Sequence, residues 1–307
     1  MDVYNPGAIW RRPLRISAPQ HVEGLNEEDL MRPQTPRSVP PAIDPAPATT
    51  SAIVAQELNK LSLQDRNRVL EEIHGVQDAP ALLENDEFVG RSLLELTAEL
   101  QSVPAKSAFA EARRRDSAYV SRRDFLLKFL RAEHFCVKNV ATRILAFFEY
   151  KLELFGTDKL TKDIEIRDIL DDPDDRMALA SGLFQPLSTR DRSGRIVIGK
   201  FHKHKYSGLK LESRLRLFYY MLMTTTEYDV DQKRGIVLLV TNQEGVVDRM
   251  DAWRNTTLLV ALPVRVNGFH VCHNDPKITV LGSLAMLAMG PVYRARFRLH
   301  EGTFEAC

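Results

Sequence analysis

The run Ile236-Val237-Leu238-Leu239-Val240 constrains this chain more than any other stretch. It has no polar alternation, and it sits between Gly235 and Thr241-Asn242. A strand with one wet face alternates apolar and polar residues. A continuous run is expected for a strand buried on both faces, as in a parallel sheet covered by helices. The segments around it agree. Asp191-Arg192-Ser193-Gly194 reads as a turn, Arg195–Phe201 as a strand and Leu211–Tyr228 as an amphipathic helix. Gly235–Val240 follows as a strand, then Met250–Ala261 as a helix, Val266–Cys272 as a strand, Ile278–Met289 as an apolar helix and Phe297–His300 as a last short strand. Strand and helix in alternation give an α/β domain with a mostly parallel sheet flanked by helices.

The chain before this point is helical or irregular. Met1 to about Thr50 is rich in proline and polar residues and keeps no period, so it reads as a disordered tail. From Ser51, a plausible N-cap, an imperfect apolar stripe (Ile53, Val54, Leu58, Leu61, Leu63, Val69, Leu70, Ile73) predicts a helix up to Gly75. Pro80 and Asn85 interrupt it, and Leu93, Leu94, Leu96 and Leu100 predict a second short helix. Between Ser121 and Gly156 the three-to-four spacing predicts a helical pair broken near His134–Cys136, with Lys128 and Arg131 off the apolar stripe. Asp171–Ala180 is expected to be helical after Pro173.

With 307 residues, the chain is long enough for one large domain with extensions or for two small ones. A formal net charge of +1 gives no bulk electrostatic argument for nucleic acid. Three widely spaced cysteines, Cys136, Cys272 and Cys307, fit a reducing compartment better than a disulfide framework. The N-terminus shows no apolar core of a signal peptide. The Ile278–Met289 segment, bracketed by Pro276 and Pro291, is shorter than a membrane span.

Catalytic and cofactor motifs are sparse. Neither GxxxxGK[ST] nor GxGxxG after a strand occurs, and there is no GxSxG elbow. On a strand His270 and Cys272 share one face and His273 points to the other. No second cluster supplies further zinc ligands, so these read as strand residues packed against a helix. His202 and His204 lie among Lys200, Lys203 and Lys205. That run reads as a solvated basic surface, with contact to acidic lipid headgroups as its functional alternative. No catalytic residue, metal ligand or cofactor is assigned.

Four blocks in order resemble the CRAL-TRIO family, the fold of phosphatidylinositol-transfer and α-tocopherol-transfer proteins. Leu126–Val137 (LLKFLRAEHFCV) is similar to the family's LLRFLRARKFDV signature, and Gly235–Val246 (GIVLLVTNQEGV) to its GIVVIFDLEGV strand and turn. Leu262–Pro276 resembles YPVRLKGIHLINAP, the helix after it resembles the lipid gate, and Arg294–His300 is similar to KIKERIHMHG. The likeness covers about Ser121 to Gly302.

The resemblance implies a binding module rather than an enzyme. Its fold would be an N-terminal helical subdomain followed by a mostly parallel sheet, with one lipid held in a cavity closed by helix 278–289. The expected cavity residues are Ile236, Leu238, Val240, Phe269, Val271, Leu281, Leu284 and Met286, and the expected headgroup cations are Arg265 and Arg296. Expected partners are a phospholipid, phosphoinositide or isoprenoid-like ligand and a transient membrane surface, with no nucleic acid. The protein is expected to be a cytoplasmic monomer, peripheral at membranes, that transfers lipid. The implied division is a tail at 1–50, a helical extension at 51–120, the helical part at 121–165 and the α/β part at 166–307. The family continues past its last strand to a Tyr-Gly-Gly segment, whereas this chain stops at Cys307, so a shortened C-terminus is expected. The alternative is a non-catalytic interaction scaffold on a degenerate domain of this type, its proline-rich tail offering polyproline II motifs.

Overall fold

The structure is a computed structural model that describes residues 50–74, 84–202, 208–242, 249–275, 278 and 291–302. The proline-rich tail and most of the apolar segment 278–289 therefore lie outside the described residues.

The first predicted helix is two: α1, Thr50–Asn59, and α2, Leu63–His74. The break falls at Ser62, whose hydroxyl accepts from the backbone N–H of Asp65 at 3.1 Å and donates to that carboxylate at 2.7 Å. A Ser-x-x-Asp capping pattern thus restarts the helix inside what reads as one stripe. The next helix, α3, Asp86–Gln101, begins where Asn85 accepts from the Phe88 N–H at 2.7 Å, so the residue that interrupts the pattern is its N-cap. Then come α4, Ala108–Arg115, and α5, Ser117–Ser121, capped by Ser107 and Asp116.

The predicted helical pair is α6, Arg123–Ala132, and α7, Val137–Phe155, with the break where expected. His134 and Phe135 turn the chain there with φ of 50° and 63°, a region that glycine enters most easily. Phe135 is held by its N–H on Leu130 O at 2.7 Å and by its ring 4.8 Å from that of Phe88. The aromatic core of this half runs through Phe125, Phe129, Phe147 and Phe148. The Phe129 and Phe147 rings meet edge to face at 5.3 Å. Arg131 corrects the expectation that it lies off the packed face. It is 6% exposed and bonds to Glu84, Asp229 and Gln232.

After α8, Ile166–Leu170, and α9, Pro173–Ser181, the α/β part begins. Its strands are β1, Phe184–Arg190; β2, Ile196–His202; β3, Ile236–Asn242; β4, Val266–His273; and β5, Phe297–Glu301. The edge strand β1 has no counterpart in the sequence reading. Pro186 lies within it, as an edge position tolerates. Between β2 and β3 stand α10, Leu211–Thr225, and α11, Asp229–Arg234. Helix α12, Arg249–Ala261, precedes β4, and α13, Pro291–Arg296, precedes β5. The predicted 211–228 helix therefore ends earlier, and a second short helix follows it.

The five strands lie in the order β1-β2-β3-β4-β5, with β1 antiparallel to β2 and the rest parallel. This is an α/β fold with a mixed sheet flanked by helices. Parallel strands laid down in sequence order by right-handed crossovers place the connecting helices on one face. In agreement, Ile198, Ile236 and Leu238 share one core with residues of α7, α10 and α12. Arg143 pins α7 to the entrance of β4. Its Nη1 donates to Leu262 O at 2.7 Å and its Nη2 to the Tyr293 hydroxyl at 3.0 Å. Among the described residues no helix is long and apolar enough to cross a membrane.

Candidate ligand-binding face and arginine cluster

Strand register decides which predicted site residues share a face. Leu238, Phe269 and Phe297 are register partners across β3, β4 and β5, and Val240, Val271 and Leu299 form the next row. The five predicted strand residues, Ile236, Leu238, Val240, Phe269 and Val271, thus belong to one apolar face. Their burial differs along it. Ile236 and Leu238 are buried in the main core, whereas Val240, Phe269 and Val271 are half-buried. The Phe269 and Phe297 rings stack with centroids 5.3 Å apart. Ile53 of α1 packs on Phe297, with Val54, Val271, Tyr293 and Leu299 around it. Leu281, Leu284 and Met286 lie outside the described residues.

The two predicted cations come together at the other end of the strands. Arg195, Gly235, Arg265 and Arg296 are the residues immediately before β2, β3, β4 and β5, so one line along the sheet edge carries three guanidiniums. Gly235 has a φ of +72°, and a Cβ there would meet the Asn267 Oδ1 at 2.1 Å and the Arg265 carbonyl at 2.7 Å, so this position demands glycine.

All three arginines meet Glu72 of α2. Arg265 Nη2 donates to Glu72 Oε1 at 2.5 Å. Arg296 donates to Oε2 from Nε at 3.0 Å and from Nη2 at 2.5 Å. Arg195 Nη1 donates to the Glu72 backbone carbonyl, and its Nε to Asp191 Oδ2 at 2.6 Å. The Glu72 side chain is 1% exposed. Burial alone would raise its pKa, but the charges of Arg296 and Arg265 outweigh that and hold the carboxyl below its ordinary value. Burial lowers Arg265 from its usual value; the pairing with Glu72 opposes this only in part, and Arg296 and Arg195 add smaller repulsions. Its Nε is buried with no hydrogen-bond partner.

Glu72 and Arg195 are absent from the sequence-based site. A signal for both exists. Glu72 shares the helical face of Val69 and Ile73, and a carboxylate on a buried face needs a cation. Arg195 occupies the same pre-strand position as Arg265 and Arg296.

On the opposite face of β4, His270 and Cys272 point together as expected, and His273 points with Phe269 and Val271. His270 Nδ1 lies 2.9 Å from His300 Nε2 of β5. Burial, then the charge of Arg298, lowers the His300 pKa. Among the described residues no three His, Cys, Asp or Glu side chains are grouped to hold a metal. His273 is fully buried, and neither ring nitrogen has a hydrogen-bond partner. Cys136 is exposed and Cys272 is buried. Of the basic run, Lys200 lies on β2 with Nζ 5.5 Å from the Phe184 ring centroid, and residues 203–207 are outside the described residues.

Comparison with known proteins finds no family model that matches the chain, and no curated protein that matches it.

Proposed function

We propose that the protein is a non-catalytic lipid carrier of the CRAL-TRIO type, which takes up one hydrophobic lipid against the apolar face of β3, β4 and β5 and moves it between membranes. The observation that carries this reading is the pair of rows Leu238–Phe269–Phe297 and Val240–Val271–Leu299, which run from a buried core into half-buried positions. Apolar side chains left half-buried on the covered face of a sheet favour an apolar ligand, and each methylene buried there contributes about 0.8 kcal/mol. The four blocks of sequence resemblance support it as well. Arg265 and Arg296 stand beside β4 and β5, and their planar forks suit a phosphate.

The test is lipid analysis of the purified protein, followed by transfer of a fluorescent lipid between donor and acceptor vesicles. A carrier brings lipid through purification and accelerates transfer. A protein that binds no lipid and leaves transfer at the background rate is a scaffold instead.

A further inference from the structure

We propose that α1 and α2 form a displaceable strap whose Glu72 carboxylate stands in for the phosphate of a lipid headgroup on Arg265 and Arg296, so that headgroup binding and strap release are one exchange. This rests on the lipid-binding reading above and adds a means of regulating that site.

Three observations converge. First, residues 50–74 contribute nothing to the main core. They are held by two small apolar groupings, Ile53 with Phe297, and Val69 and Ile73 with Ala295, both outside the core that joins the helices to the sheet. Second, ionic ties hold them too: Glu57 to Arg294 at 2.9 Å, and Glu72 to Arg265 and Arg296, with Arg195 donating to the Glu72 backbone carbonyl. Third, the same segment fills both halves of the proposed site. Ile53 lies by the Phe269–Phe297 pair, and Glu72 lies on the arginines.

The shared carboxylate favours exchange over simple opening, because Arg265 and Arg296 both donate to Glu72. If α2 lifted away alone, Arg265 and Arg296 would repel each other without the Glu72 carboxylate that they share. A phosphate monoester arrives with more negative charge than a carboxylate and three acceptor oxygens, and it pairs with the guanidinium forks as Glu72 does. The strap therefore yields to an anion and closes again when the anion leaves. By reciprocity, whatever weakens the strap tightens the ligand.

The experiment uses the full chain with inositol trisphosphate as the soluble probe, and phosphatidylcholine vesicles with and without phosphatidylinositol bisphosphate as the membrane probe. Glu72→Gln is expected to bind inositol trisphosphate about 10-fold tighter than wild type, within the usual range of coupling between sites. Ile53→Ser, which leaves every charge in place, is expected to strengthen binding to the bisphosphate-containing vesicles and not to phosphatidylcholine alone. In the wild type, saturating inositol trisphosphate is expected to speed hydrogen exchange across 63–74. Unchanged exchange there at saturation overturns the proposal, as does the absence of binding to either probe by every folded variant. If Glu72→Gln does not fold, Ile53→Ser and wild-type exchange decide. Lipid carried and transferred with α2 exchange unmoved sinks the strap alone. Faster α2 exchange in a protein that carries no lipid sinks only the carrier reading.

Discussion

Arg296 donates two hydrogen bonds to the Glu72 carboxylate, from Nε at 3.0 Å and Nη2 at 2.5 Å, although 224 positions separate the two in sequence. The pair joins the last turn of α2 to the entrance of β5, and both side chains are nearly shielded from water. Breaking a buried pair by removing one partner is strongly destabilising, and the two truncations differ in what they strand. Arg296→Leu leaves Glu72 with Arg265 and is expected to lower urea stability by about 3 kcal/mol. Glu72→Leu removes the carboxylate that two guanidiniums share and is expected to cost nearer 5 kcal/mol. Equal losses in urea titrations would contradict the shared-carboxylate geometry.

The same carboxylate sets an acid response. Its folded-state pKa lies below the ordinary 4.5, so the unfolded chain binds its proton first as the pH falls. The stability that Glu72 contributes is present above about pH 4.5 and is lost as pH falls through the lowered value. Relative to Glu72→Gln, wild type should lose its advantage in urea progressively as the pH falls below about 4.5. An advantage that stays constant across that range would show that Glu72 is not ionised in the folded protein.

Arg131 makes the corresponding link between the helical and α/β parts. It bonds to Glu84 ahead of α3 and to Asp229 and Gln232 of α11, and only 4% of its side chain is exposed. Two carboxylates and an amide around one planar fork do not suit a lysine. Arg131→Lys should therefore recover less than half of the stability lost in Arg131→Met, measured by urea denaturation. Full recovery would reduce the role of Arg131 to its charge.

The α/β part was legible because its signal is local. Uncharged runs such as Ile236–Val240 declare a buried strand, and Ile196–His202, Val266–His273 and Phe297–Glu301 follow within two residues of their expected limits. Strand alternation also placed His270 and Cys272 apart from His273. What escaped depends on distant partners. Arg131 looks like a surface cation on its own helix, and only Glu84 and Asp229, brought in by the fold, allow it to be buried. Arg265 and Arg296 were singled out as cations, but nothing near them in sequence reveals that a helix 193 and 224 residues earlier supplies their shared carboxylate. β1 escaped because an edge strand with a proline at position 186 lacks alternation.

Lys151 predicts an unusual pH dependence. It is fully buried on α7, donates to the Tyr119 hydroxyl at 2.6 Å and lies 4.7 Å from that ring's centroid. Burial lowers its pKa from 10.5 to about 7, and the nearby Asp163 charge opposes that only in part. Between those values the unfolded chain binds a proton that the folded protein releases, so this group's penalty is largest below pH 7 and shrinks as pH rises. Wild type should gain on Lys151→Met by up to about 1.4 kcal/mol per pH unit across the lower part of that window. Parallel stability curves for the two proteins from pH 7 to 9 would show that Lys151 stays charged, held by Tyr119 and the carbonyl of Lys162.

Val271 tests the proposed lipid site separately from the core. It is half-buried on the apolar face of β4, between Val240 and Leu299, whereas Leu238 one row away is 4% exposed. A large side chain at half-buried Val271 would project where the proposed ligand lies, while one at Leu238 would be forced into a packed core. Overpacking typically costs 1–3 kcal/mol. Val271→Trp is therefore expected to change the melting temperature by no more than about 3 °C, a shift that corresponds to roughly 1 kcal/mol in a domain of this size. It should also remove most of the lipid that purifies with the wild type. Leu238→Trp should lower the melting temperature by several degrees more. If Val271→Trp kept its full lipid load, the ligand would have to lie elsewhere than on the β3–β5 face.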